Sequence, residues 1–199
     1  VKPLPTASLS RSNLIRTFVV IIFTTAVGGL IFQSTSFALP KVFEERLIDI
    51  APSASAIGVY SFSVFALAAF AQLVVGYLVD HYSIRVVFSA VAALQAVFFA
   101  VMMHSTGIMA LLVAIAFMLV VFGQIPINDV LVGRITRSAW RSRAYALRYI
   151  VTFSVSATAV PVIAWIHGTR GFSALLELLA LAAFLIFIAV FALPRFRNA

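Results

Sequence analysis

Long apolar blocks separated by short polar or charged breaks run the length of this chain. A helix crossing about 30 Å of hydrocarbon needs roughly 20 mostly apolar residues at about 1.5 Å each, so each block reads as a membrane span. The first covers residues 14–39 and stops at Pro40, after which Lys41, Glu44, Glu45, Arg46 and Asp49 form a charged loop; the second covers 55–79. Between Arg85 and Asp129 there is no Asp, Glu, Lys or Arg, and that stretch is about twice what one helix needs. It must fold back once, and His104-Ser105-Thr106-Gly107 is the polar, turn-prone cluster that can do it. Spans at 86–103 and 108–132 follow, then 144–166 and 172–193, the last closed by Pro194. The pattern predicts an all-α membrane protein whose six transmembrane helices occupy a domain over 14–199, preceded by a polar linker segment, residues 1–13.

Composition makes the lipid bilayer the solvent. Of 199 residues 63% are hydrophobic and 10% charged, and the mean hydropathy is +1.13, so polar residues are too few to cover a water-soluble globule. The formal charge of +8 does not point to nucleic acid, because the arginines sit in short breaks instead of on one basic face with interleaved aromatics. It reads as a topology signal. Six spans place Lys2, Arg11, Arg16, Arg85, Arg134, Arg137, Arg141, Arg143, Arg148, Arg195 and Arg197 on one side, and only Lys41, Arg46 and Arg170 on the other. Positive residues in short loops stay cytoplasmic, so both ends of this chain are expected there. Cysteine is absent, which excludes disulfides and thiolate metal sites. Valine in first place and no signal peptide before the first span point to a processed product or a piece of a longer chain.

The break GYLVDHYSIRVVF, residues 76–88, spends an aspartate and an arginine on one tight turn. Asp80 falls where the second helix ends and Arg85 where the third begins, each at the unfavourable pole of its own helix by about 0.3–1 kcal/mol if exposed. Arg85 follows the positive-inside preference; Asp80 gains nothing from it. Two readings stand: Asp80 pairs with Arg85 or is simply solvated, or it serves another element, such as a helix N-terminus elsewhere.

Gly76, Leu78, Asp80 and Arg85, at this spacing and after a second span, resemble the loop signature of the major facilitator superfamily, G-x-L-x-D-[RK]-x-G-[RK]-[RK]. His81, Ser83 and Ile84 depart from it, and this weakening is similar to the copy in the C-terminal half of such transporters. Residues 123–134 and 141–161 also resemble later helices of bacterial members. The resemblance implies secondary transport of a small solute by alternating access, as a C-terminal six-helix half rocking against an N-terminal half of the same protein. It implies a bacterial inner membrane, and solute contacts on the first and fourth spans.

On the first span Thr25, Gly29, Gln33 and Ser36 recur at helical spacing and share a face. Small and hydroxyl residues equally serve close helix packing in lipid, and Gln33 is the stronger candidate because a buried amide demands partners. On the fourth span Gln124 and Asn128 are one turn apart around Pro126, either lining a bent solute path or satisfying the backbone that proline frees. Thr25, Gly29, Gln33, Gln124 and Asn128 are thus the candidate lining. Asp129 lies near the cytoplasmic end, with Arg134 and Arg148 as its candidate partners. Together with Asp80 these form an expected cytoplasmic gate, and Gly76, Asp80 and Arg85 the loop motif. Asp80 is expected to set the balance of inward and outward states more than solute affinity.

Glu177 in the sixth span either snorkels to the interface or couples a proton. His81, His104 and His167 are isolated, with no carboxylate at metal-ligand spacing. Tyr82, Trp140 and Trp165 fall near predicted interfaces, and Pro161 is a hinge or a tolerated kink. No P-loop and no nucleophile–base constellation is present, so neither ATP drive, catalysis nor a cofactor is expected. Two other readings remain: an autonomous six-helix protomer that dimerises with a second copy, and a membrane scaffold that transports nothing.

Overall fold

The first helix, α1, runs Arg11–Arg46, so the helix passes through Pro40 and takes in residues read from the sequence as a charged loop. Proline removes one backbone donor, but membrane helices tolerate it when the rest of the ladder holds. An exposed pair one turn apart, Lys41 Nζ to Glu44 Oε2 at 2.6 Å, lies within this extension of the helix. The computed structural model describes the backbone of residues 11–136 and 140–193, and the side chains of 15–134, 136 and 140–193. Residues 1–10 of the expected linker, Arg137, Pro194 and the arginines beyond it lie outside the described residues, and from Arg11 the expected linker is already helical.

Helix α2, Ala54–His81, begins where the Ser53 side chain accepts a hydrogen bond from the Ala56 amide at 3.2 Å, satisfying one orphan donor of the first turn. It ends in a short turn whose Tyr82 amide returns to the Leu78 carbonyl, and α3, Ile84–Met102, follows at once. The polar cluster after α3 is the expected reversal, with Gly107 at φ 56° opening α4, Gly107–Ile135. A left-handed φ is reached there without a Cβ penalty.

The fifth helical run, α5, spans Arg141–Phe191 and is broken at Gly171, whose φ of 75° and ψ of 179° are not helical and suit only glycine. The sequence reading separates two spans over 167–171; the structure keeps the hydrogen-bonded run nearly unbroken and turns at that one residue. Contacts fix the direction of the turn. Near the break His167 Nε2 meets Glu45 Oε1 at 2.9 Å, and Arg46 donates to Ser173 Oγ at 2.8 Å, both at the C-terminal end of α1. The start of α5 instead reaches the end of α4, where Arg148 pairs with Asp129, and its finish reaches the start of α3, where Arg85 stands 5.3 Å from the Phe191 ring centre. The two ends of α5 therefore share the basic end of the bundle, and Gly171 lies at the opposite end.

Among the described residues, five helices are long and apolar enough to cross a membrane. α1 packs on α4 and α5, α2 on α4, and α3 on α4 and α5. Phe43, Phe88, Phe99, Met118 and Leu179 are among the buried side chains between them, and Gly123 lets α4 approach α2 so closely that a Cβ there would sit 2.8 Å from Val75 Cγ2. Large apolar side chains also cover the outside, among them Phe62, Phe70, Leu73 and Trp165, an arrangement expected of an integral membrane protein, whose outer surface meets hydrocarbon.

Candidate functional site

Within this apolar bundle a partly open cavity of about 230 Å³ lies between α1, α4 and the first segment of α5. The five lining candidates Thr25, Gly29, Gln33, Gln124 and Asn128 all border it. Helical periodicity explains the grouping: Thr25, Gly29 and Gln33 stack at four-residue steps on α1, and Gln124 and Asn128 do so on α4. α5 supplies a third polar row at the same step, Arg148, Thr152 and Ser156, which the sequence reading passed over although its spacing is visible. Phe32, Tyr149 and Phe153 give the cavity aromatic walls.

Another residue the sequence reading missed is Gln95 on α3, fully buried and the source of the cavity's polarity pattern. Its Nε2 donates to the Val120 carbonyl at 3.1 Å and to Gln124 Oε1 at 2.8 Å. A carbonyl can only accept, so Gln95 must present its NH2 there, and Gln124 must then present its oxygen to Gln95. The Gln124 amide nitrogen is thereby turned away from Gln95, and it is left buried with no partner among the described residues. It rests against α1, where a Cβ on Gly28 would come within 2.5 Å of it. Thr25 Oγ1, Asn128 Oδ1 and Arg148 Nε, from three other lining residues, are also buried and unpartnered among the described residues. Buried polar groups left without partners cost about 1–3 kcal/mol each, and four of them belong to residues that line this one cavity.

Two ion pairs stand at the basic end, and they connect residues that sequence distance hides. Arg148, buried, pairs through Nη1 with Asp129 Oδ1, and Tyr145 donates its hydroxyl to the Asp129 carbonyl at 2.9 Å, so α5 is fastened to the end of α4 twice. Arg134 donates to the Val79 carbonyl at 3.2 Å and lies 3.8 Å from Asp80 Oδ1. A guanidinium on the last carbonyls of α2 offsets the poor placement of Asp80 at that pole. Asp80 therefore pairs with Arg134 on α4, and Arg85 turns instead to the Phe191 ring. The four expected gate residues come together as two separate pairs, and of the four Arg148 borders the cavity. Around Gly76 a Cβ would meet nothing within 4 Å.

Elsewhere, Glu177 and His104 are exposed, His81 stacks on Tyr77 with ring centres 4.0 Å apart, and His167 has the carboxylate partner Glu45 that sequence spacing did not reveal. Because Asp80 is 59% exposed and its pair is long, Asp80→Asn is expected to move the thermal unfolding midpoint by no more than about 2 °C; a larger fall in that midpoint would show that it holds more than a surface pair. Neither a scan of protein-family models nor a search of curated proteins returns a match to this sequence.

Proposed function

We propose that this chain moves a small solute across a membrane by alternating access, as one six-crossing half of a secondary transporter of the major facilitator type. The observation that carries the reading is the cavity: a cluster of buried, unpartnered polar atoms between three membrane-length helices, bordered at its basic end by an ion pair. Pure packing would leave such a place apolar, since every unpaired polar atom in hydrocarbon is costly.

The length of α5 and its break support a sixth crossing. A continuous helix of its 51 residues would be roughly 77 Å long, more than twice the hydrocarbon thickness, and it instead reverses at Gly171 with both ends on one side. The basic end, with Arg85, Arg134, Arg141, Arg143 and Arg148, is then cytoplasmic by the positive-inside preference, in a bacterial inner membrane. The resemblance of residues 76–85 to the superfamily loop supports the same orientation. On the α5 side the cavity wall includes Phe153, 68% exposed, and Tyr149, 49% exposed, and this is the face set against the N-terminal half of the same protein.

The absence of cysteine makes the test direct. In the full-length protein, Thr152→Cys should react with a membrane-impermeant maleimide from either face of a vesicle in proportion to the inward or outward population, whereas Phe62→Cys on the lipid face should not react. A cavity cysteine silent from both faces would end the transport reading.

A further inference from the structure

We propose that the cavity is a site for a small organic carboxylate, held at its charged end by Arg148, Gln124 and Thr25 and at its apolar end by Phe32 and Phe153. The proposal rests on the transport reading for its meaning in the membrane, but the site is read from its own chemistry.

The lining is donor-rich. Gln124 offers only its amide nitrogen, because its oxygen is committed to Gln95. Arg148 offers N–H groups and no acceptor; five donors are available on a guanidinium, and the ion pair to Asp129 is made through Nη1, leaving Nε buried and unpartnered among the described residues. Thr25 Oγ1, also unpartnered among the described residues, can donate as well. The acceptors in the lining are all neutral, Asn128 Oδ1, the Gln33 amide oxygen and the Thr152 and Ser156 hydroxyls, and no carboxylate is among the lining residues. Asp129 does not line the cavity and is 39% exposed, so its charge is shared with the surroundings of the basic end while the guanidinium is 10% exposed. Arg148 thus brings the one formal charge among the lining residues, and a planar fork with free edges is the geometry that recognises a carboxylate without first releasing Asp129.

The remaining walls argue for an organic body behind that anion. Phe32 and Phe153 belong to the same lining, and about 230 Å³ leaves room for an aromatic ring or a short branched chain. A cationic solute finds no anionic wall and meets the Arg148 guanidinium, whereas a neutral solute gains nothing from that charge.

The test uses the full-length protein in detergent, titrated calorimetrically with benzoate, benzamide, benzylamine and inorganic phosphate, which vary charge and apolar body separately. Benzoate is expected to bind at least tenfold more tightly than the other three. Because Arg148→Gln alone leaves Asp129 without its partner, the paired variant Arg148→Gln with Asp129→Asn is measured beside it; both should weaken benzoate at least tenfold, and the paired variant should keep the wild-type unfolding midpoint within a few degrees. Thr25→Val should weaken benzoate by a smaller factor. Benzamide or benzylamine binding as tightly as benzoate, benzoate binding unchanged in the paired variant, or no binding by any probe would each overturn the carboxylate site, and tighter phosphate would overturn its organic half. Uptake of labelled benzoate into proteoliposomes is read separately: binding lost in the paired variant but no uptake by the wild type supports the site and removes the transport reading.

Discussion

Gly28→Ala is expected to destabilise the protein by about 1–2 kcal/mol and to weaken solute binding about tenfold, while Gly29→Ala, the next residue, leaves stability unchanged or slightly improved. The contrast comes from what each new methyl group would meet. At Gly29 the nearest atom is Thr152 Cγ2 at 3.5 Å, an ordinary contact, and the helix gains up to about 1 kcal/mol from replacing glycine. At Gly28 the methyl would sit 2.5 Å from Gln124 Nε2. A free glutamine would swing aside at little cost, but this one is held by Gln95, which the Val120 carbonyl holds in turn. Moving it gives up a buried hydrogen bond and turns the amide nitrogen out of the cavity. The check is a double-mutant cycle: in a Gln124→Ala background Gly28→Ala should become neutral, because nothing is left to displace. If Gly28→Ala cost the same in both backgrounds, the pinned amide would not be the cause.

What the sequence makes legible here is what lipid makes expensive. Polar residues one turn apart in an apolar helix stand out, so Thr25, Gly29, Gln33, Gln124 and Asn128 could be picked without a structure, and they share one cavity. Helix boundaries were legible where a polar cluster coincided with a glycine, as at Gly107 with φ 56°. They were misread where a single residue carries the signal. Pro40 looks like a stop, yet it removes only one donor from a helix that continues to Arg46, and residues 167–171 look like a loop although only Gly171 leaves helical geometry.

Partners were the least legible part. Asp80 has Arg85 close by in sequence but meets Arg134, and Glu45 meets His167, because packing of α2 on α4 and of α1 on α5 brings them together. Gln95 was overlooked for a related reason: one amide in a long apolar stretch has no periodic companion on its own helix, and its importance lies in the Gln124 oxygen on the neighbouring helix. Arg148 was read only as a gate partner of Asp129, whereas its place in the row with Thr152 and Ser156 makes it a wall of the cavity as well.

That double position of Arg148 produces the other large expected effect. Asp129→Asn should raise maleimide labelling of Thr152→Cys from the cytoplasmic face about tenfold, and should lower stability by about 1–3 kcal/mol. The mutation leaves a guanidinium that is 10% exposed without its counter-charge. A fully buried pair broken this way costs about 3–5 kcal/mol, and the smaller figure follows from the 39% exposure of Asp129, which water already screens. The pair spans α4 and the first segment of α5 at the basic end, so it favours whichever state keeps those segments together. A bias of about 1.4 kcal/mol removed from a two-state equilibrium changes its ratio tenfold, which is the source of the labelling estimate. Exchanging the charges, Asp129→Arg with Arg148→Asp, should restore labelling toward the wild-type level, since the attraction survives reversal. It should not restore benzoate binding, since the cavity wall would then carry a carboxylate where the solute needs a donor. Labelling that stays at the wild-type level in Asp129→Asn and in Arg148→Gln alike would reduce the pair to a packing contact, and the cytoplasmic closure would have to be sought in the facing half.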